Sequence, residues 1–203
     1  MGWLAPAEVV LFDLGGVLVD ITGVQVLREL TGLASAEELW ARWLTCSWVR
    51  RFESGACSEL AFAEGLVSDW ELSVSSADFL GAFREWPTGP LPGAEQLVAA
   101  TKAAVTVGCA SNTNGMHWER FGAWPLMDLF EHRFASFEMG LLKPDAAFFA
   151  QVADRLAIPP DRVVFLDDNL LNVEGAREAG FRALLAVGVD QARDRLTGVG
   201  VLR

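Results

Sequence analysis

The stretch that decides the fold is Val9-Val10-Leu11-Phe12-Asp13-Leu14-Gly15-Gly16. Four apolar residues run without a polar alternate and then stop at a carboxylate. A strand of that kind is apolar on both faces, which is the habit of a parallel sheet covered on each side by helices. Two further runs repeat the pattern: Ala104 to Ala110 ends at Ser111, and Val163-Val164-Phe165-Leu166 ends at Asp167-Asp168. Ala183 to Val187 reads as another buried strand, and Phe134-Ala135-Ser136 as a weaker one.

Helical patterns separate these runs. Glu95 to Lys102 precedes the second strand, Pro144 to Leu156 carries Phe148, Phe149, Val152 and Leu156 on one face, and Asn172 to Ala179 stops before Gly180. Alternating strands and helices predict an α/β, doubly wound, Rossmann-like parallel sheet. Chain spacing adds an insertion. Ser111 lies 98 residues after Asp13, whereas a strand–helix–strand unit needs about 30–40 residues, leaving roughly 60 in excess. The excess reads as helices over Val24–Leu30, Ala36–Phe52, Ser58–Asp69 and Ser76–Trp86, with Thr88-Gly89-Pro90-Leu91-Pro92-Gly93 marking the return to the sheet. The expected division is a sheet domain of residues 1–20 and 92–203, with a helical cap of residues 21–91 inserted after the first strand. Five of the eight tryptophans fall in this cap (Trp40, Trp43, Trp48, Trp70 and Trp86), as expected for the core of a small helical lobe. Trp48 is a candidate for the wall of a substrate pocket, and Arg50 and Arg51 are possible contacts for a phosphate or sugar.

The whole chain has 203 residues and a net charge of −11, from 27 acids against 16 bases. Nucleic acid and anionic membrane surfaces are recognised through excess Lys and Arg, so neither is an expected partner. No apolar window is long enough to span a bilayer, and residues 1–7 lack the basic start of a secretion signal. Cys46, Cys57 and Cys109 are odd in number and form no CxxC, which predicts free thiols and a cytoplasmic location. A monomer or homodimer is expected.

The strand ends carry the chemistry. In a doubly wound sheet, ligands bind beyond the carboxyl ends of the strands. Asp13, the run Ser111-Asn112-Thr113-Asn114 and the run Asp167-Asp168-Asn169 all fall there. If the strands ending in Asp13 and Asp167 are neighbours, three carboxylates share one cleft and repel one another. A divalent cation resolves that conflict, and an oxygen-only ligand set that leaves room for water and a substrate phosphate suits Mg²⁺. Lys143 is one of only two lysines and precedes Pro144. A carboxylate nucleophile, a lysine, a metal and helix N-terminal amides are what phosphoryl transfer requires.

With these residues in order, the sequence resembles the haloacid dehalogenase-like (HAD) superfamily with a helical C1 cap. The four motifs are Phe12-Asp13-Leu14-Gly15-Gly16-Val17-Leu18-Val19-Asp20, Ala110-Ser111-Asn112-Thr113-Asn114, Lys143-Pro144 and Phe165-Leu166-Asp167-Asp168-Asn169. The stretch Trp48 to Phe62, which contains Phe52-Glu53-Ser54-Gly55, is similar to caps of this type, and the sequence resembles the α-glucose-1-phosphate phosphatase-like subgroup. The resemblance implies a Mg²⁺-dependent phosphatase of a small phosphorylated metabolite. Asp13 would be the nucleophile and a metal ligand, and Ser111 with the Asn112 amide would hold the phosphoryl oxygens. Lys143 would neutralise charge, Asp168 would bind metal directly, Asp167 would bind through water or orient Lys143, and the Gly15 carbonyl would complete the metal shell.

One departure stands out. Most phosphatases of this family carry a second Asp two residues after the nucleophile, as general acid and base; here that residue is Gly15. General acid–base help is worth about 10²–10⁴-fold, so the alternative is a catalytically impaired ligand-binding protein of the same fold. A leaving group that needs little protonation, a substrate hydroxyl or a cap residue would offset the loss. Glu53 is the cap candidate. A dehalogenase would leave Asp167 and Asp168 without a role, and a phosphonate hydrolase would need a cap lysine, which residues 14–101 lack.

Overall fold

The computed structural model describes residues 6–31 and 35–203; Trp3 and the rest of the chain start lie outside that range. Strand β1 (Val9–Phe12) enters the sheet and ends at Asp13. A short strand β2 (Val19–Ile21) leads into helices α1 (Gly23–Thr31), α2 (Ala36–Thr45), α3 (Ser47–Glu53), α4 (Glu59–Asp69) and α5 (Ser76–Arg84), and β3 (Pro87–Pro90) leads back out. The chain continues through α6 (Ala94–Lys102), β4 (Thr106–Ser111), α7 (Gly115–Gly122), β5 (His132–Ala135), α8 (Ser136–Met139) and α9 (Ala146–Leu156). It closes with β6 (Val163–Asp167), α10 (Leu170–Glu178), β7 (Arg182–Leu185) and α11 (Gly188–Gly198).

Five strands form a parallel sheet in the order β5-β4-β1-β6-β7. β1 is central, with Phe12 level with Cys109 of β4 and Leu166 of β6. This register sets Asp13 between the two other polar strand ends. Both faces are dry, as the unbroken apolar runs require. Val10, Phe12, Val107, Val164 and Leu166 pack on one side with Leu97 and Val98 of α6 and Ala192 and Leu196 of α11. Val9, Leu11, Val163 and Phe165 pack on the other with Phe148, Phe149 and Val152 of α9 and Val173 of α10. Among the described residues no helix is long and apolar enough to cross a membrane.

The cap has its own aromatic core. Phe52 stacks on Phe62 at 4.3 Å, and Trp43 lies 5.1 Å from Trp86 and 6.1 Å from Trp70. Trp40 departs from the expectation that the cap tryptophans form its core: it is 40% exposed, while Trp43 is buried. The buried stripe of this segment is Leu39, Trp43 and Cys46, and Trp40 falls one position outside it. Trp48 is half-buried over α4 (a side chain at Gly65 would run into its ring), with the Arg51 guanidinium 4.7 Å from its centroid.

Three boundaries differ from the sequence reading. The single helix expected over Ala36–Phe52 breaks at Cys46, whose backbone is extended (φ −67°, ψ 123°). Thr45 turns its hydroxyl back to the Ala41 carbonyl at 2.8 Å, a local bond that competes with helix continuation. The stretch Thr88-Gly89-Pro90, read as a turn, forms most of β3, which pairs antiparallel with β2 as the two-stranded stalk of the cap. Helices α7, α8 and α11 add to the elements the sequence pattern predicts; α7 buries Met116, His117 and Phe121, and α11 buries Val189, Ala192 and Leu196.

Candidate active site

Asp13, Lys143, Asp167 and Asp168 meet at the carboxyl edge of β1 and β6. The Asp13 backbone amide donates to the Leu166 carbonyl at 2.8 Å, extending the strand pairing by one residue. Its carboxylate Oδ1 accepts from the Leu14 amide at 2.7 Å and stands 3.1 Å from Lys143 Nζ. The Lys143 side chain is fully buried. Its ammonium also donates to the Ala110 carbonyl at 2.9 Å and to Asp167 Oδ2 at 2.6 Å. Three N–H groups meet three acceptors, which satisfies the group and fixes its position.

Asp167 is equally enclosed. Oδ1 accepts from the Asn169 amide at 2.8 Å and from Asn172 Nδ2 at 3.1 Å, and Oδ2 accepts from Lys143. Asp168 stands at the cleft rim with its residue surface open to solvent but its carboxylate turned inward. Its carboxylate lies over Gly16, where a Cβ would come within 2.1 Å of Asp168 Oδ2. Gly16 also has φ +71°, a left-handed conformation natural to glycine. In the turn after Asp13, Leu14 accepts from Leu18 and Val19 and Gly16 accepts from Gly188, whereas among the described residues none donates to the Gly15 carbonyl.

Asn112 holds Lys143 from the other side. Its Nδ2 donates to the Lys143 carbonyl and its Oδ1 accepts from the Lys143 amide, both at 2.9 Å. The Asn112 side chain is therefore engaged, and its backbone N–H, which finds no acceptor among the described residues, is the group left to meet a ligand. The Ser111 hydroxyl makes only a long 3.4 Å contact with the Asn112 carbonyl.

Charge is unbalanced here. Burial pushes the Asp13 carboxyl up to about 8; Lys143 opposes the shift, and Asp167 and Asp168 add to it. Asp168 is pushed up to about 6 by burial and by repulsion from Asp167, again against Lys143. Burial alone would lower the Lys143 pKa, but Asp13 and Asp167 hold it above the ordinary lysine range. Three carboxylates face one ammonium, and they offer oxygens that all lie within 4.8 Å of one another. A hard divalent cation such as Mg²⁺ fits this oxygen-only, charge-rich set.

At Gly15 the structure explains the cost of a side chain. A Cβ there would stand 3.3 Å from Ile21 Cγ1, so Ile21 at the foot of the cap would have to yield to a larger residue.

The cap meets the sheet domain through a few polar contacts. The Ser136 hydroxyl accepts from the Thr113 amide at 2.9 Å and donates to the Glu53 carbonyl at 2.6 Å. Arg50 pairs with Asp145 at 2.9 Å, so in this structure it holds a core residue two positions from Lys143. His117 joins the same boundary, with Nε2 donating to the Phe83 carbonyl at 2.7 Å and Nδ1 facing Asn114 at 3.2 Å. Burial lowers the His117 pKa to about 4 despite the bond to Phe83, which keeps the ring neutral. Sequence reasoning missed Ser136, Asn172 and His117. Only Asn172 carried a signal, because a polar residue one turn into the helix after Asp167 is placed to fold back onto it.

Residues 7–180 match the model of the haloacid dehalogenase-like hydrolase family, and the chain belongs to that family. It is 29% identical over 199 residues to a phosphatase of Mycobacterium tuberculosis, covering 91% of this chain and 89% of that one. It is 27% identical over 202 residues to D-ribitol-5-phosphate phosphatase of Bacteroides thetaiotaomicron, covering 93% and 96%. A 71-residue stretch is 42% identical to the drimenol cyclase drtB of Aspergillus calidoustus, spanning 35% of this chain and only 13% of that protein. Among solved structures, a HAD family enzyme from B. thetaiotaomicron in complex with magnesium and inorganic phosphate superposes with a TM-score of 0.70 at 22% identity, covering 89% of this chain and 94% of that one.

Proposed function

We propose that this protein is a Mg²⁺-dependent phosphatase that hydrolyses the phosphate ester of a small metabolite through an aspartyl-phosphate on Asp13. The observation that carries the reading is the meeting of Asp13, Asp167 and Asp168 around one fully buried lysine. Similarity over nearly the full length to two phosphatases supports it, as does the fold shared with an enzyme crystallised with magnesium and phosphate.

Asp13, Asp168 and the Gly15 carbonyl are the groups that would hold Mg²⁺, with Asp167 facing it through water or through its grip on Lys143. When bound, the cation offsets the carboxylate surplus and draws the substrate phosphate toward Asp13. The Asp13 carboxylate is held at the strand end, where it attacks phosphorus in line with the leaving oxygen. Lys143 stays charged and steadies both Asp13 and the phosphoryl oxygens. Ser111 Oγ and the Asn112 amide complete the phosphate cradle. Residues 21–91 act as a cap over the sheet domain of residues 1–20 and 92–203, closing on the substrate and excluding bulk water.

The test is phosphate release from a panel of phosphorylated metabolites and p-nitrophenyl phosphate in the presence of Mg²⁺. Asp13→Asn is expected to lower release by ~10³-fold or more, the scale of losing a nucleophile. No Asp13-dependent release on any member of the panel would leave the chain as a ligand-binding protein of this fold.

A further inference from the structure

We propose that Glu53, at the end of cap helix α3, supplies the proton to the leaving group and takes it back from water, the task that Gly15 leaves open in the sheet domain. The proposal rests on the phosphatase reading above.

Three observations place the end of α3, and with it the Glu53 backbone, at the cleft. The Glu53 carbonyl is fixed by the Ser136 hydroxyl, which also accepts from the amide of Thr113, two residues beyond Ser111. The next turn is pressed onto the sheet domain, since a Cβ at Gly55 would lie 2.6 Å from the Phe137 carbonyl. Three residues before Glu53 on the same helix, Arg50 reaches Asp145, close to Lys143 in the chain. These contacts pin both ends of the last helical turn against the two core segments that carry Ser111 and Lys143.

The side chain is half-buried rather than solvated, on the helix that packs beside Trp43. Burial raises its pKa to about 7, against lowering by Trp43, Lys143 and Arg50. The Lys143 charge thus acts on Glu53 across the cleft. Among the described side chains, the other charged groups on elements packed against α3 are Glu38 and Arg42 of α2, Glu59, Glu64 and Asp69 of α4, and Glu138 of α8, and all are exposed. A carboxyl that titrates near neutrality serves as acid and base in turn.

The balance is complete without another reactant. An Asp13 oxygen bonds to phosphorus as the bond from phosphorus to the leaving oxygen breaks. That oxygen takes the Glu53 proton and departs as an alcohol. Water then gives a proton to the Glu53 carboxylate as its oxygen bonds to phosphorus. The bond to Asp13 breaks, releasing phosphate and restoring both side chains.

The test compares leaving groups within each variant, so a change in the amount of folded enzyme cancels. Wild type, Glu53→Gln and Glu53→Asp are assayed with Mg²⁺ on p-nitrophenyl phosphate and on phenyl phosphate, whose alcohol is the weaker acid. Glu53→Gln is expected to lose less than about tenfold on p-nitrophenyl phosphate and ~10²-fold on phenyl phosphate. The fall in wild-type kcat/KM as pH rises through about 7 should vanish in Glu53→Gln and return, displaced, in Glu53→Asp. Equal losses on both esters, or an unchanged basic limb, would overturn the proposal while leaving the phosphatase intact. Absence of any Asp13-dependent release in the wild type would instead overturn the phosphatase reading, and this proposal with it.

Discussion

The two halves of this molecule hold their polar groups in opposite ways. At the sheet edge, Lys143 and Asp167 are fully enclosed and every proton of the ammonium has a named acceptor. Across the cleft, the cap is organised by rings. Trp43, Phe52, Phe62, Phe83 and Trp86 form a continuous cluster, and exposed pairs such as Arg50–Asp145 and Arg120–Glu85 join it to its neighbours. The comparison teaches a division of labour. Chemistry that tolerates no displacement sits where strand pairing over-determines each atom. The helical insertion is packed internally, and its few polar attachments can open to water at small cost.

The most forceful way to break the comparison is Lys143→Met. It leaves Asp13 and Asp167 facing each other in a dry site without their cation, a change that costs about 3–5 kcal/mol when one member of a buried pair is removed. Urea unfolding with and without Mg²⁺ measures it. A loss below about 1 kcal/mol would mean the sheet edge is less enclosed than the geometry indicates.

Phe62→Ala strikes the other half. Phe62 is fully buried and stacked on Phe52, so truncation should cost about 3–5 kcal/mol. The effect is expected to concentrate in α2–α5: amide exchange should quicken there and stay slow in β1, β4 and β6. Equal acceleration in the sheet would show that the two halves unfold as one unit.

Asp168→Ala sharpens the account of the exposed rim. Wild type should melt higher with Mg²⁺, by the equivalent of about 2.7 kcal/mol at a hundred times the dissociation constant, and the variant should lose that rise. Because its carboxylate repels Asp167 in the metal-free site, stability without metal should be unchanged or slightly higher in the variant. Arg50→Ala should have the smallest effect, under about 1 kcal/mol, because the pair with Asp145 is 41% and 50% exposed. A raised KM with kcat unchanged would assign Arg50 to closure over the substrate; unchanged kinetics would make it a surface pair only.

Much of the sheet was legible because burial writes itself into composition. Val9–Phe12 and Val163–Leu166 admit no polar residue, and the first carboxylate after each marks the strand end. The β2–β3 stalk was not legible, since Pro87-Thr88-Gly89-Pro90 has neither alternation nor β-branched enrichment and forms a strand only because Val19–Ile21 lies beside it. The break at Cys46 was hidden for a related reason: the apolar stripe runs through it, while the local bonds of Thr45 stop the helix.

In the site, residue types and their order pointed to Asp13, Lys143, Asp167 and Asp168, but not to what each does for its neighbours. That Asn112 spends its side chain on the Lys143 backbone depends on contacts between residues 31 apart in sequence. That Ile21 fills the space beside Gly15, and that Ser136 holds the Glu53 carbonyl, depends on how the cap folds back. The sequence by itself determined which strands are buried, where the polar ends fall and that acids outnumber bases where they converge. These follow from local polarity and from the regular rise of a strand. Only the tertiary structure decided which carboxylate is sealed, which stands at the rim and which cap residue feels the lysine, because solvation and Coulomb forces act through space.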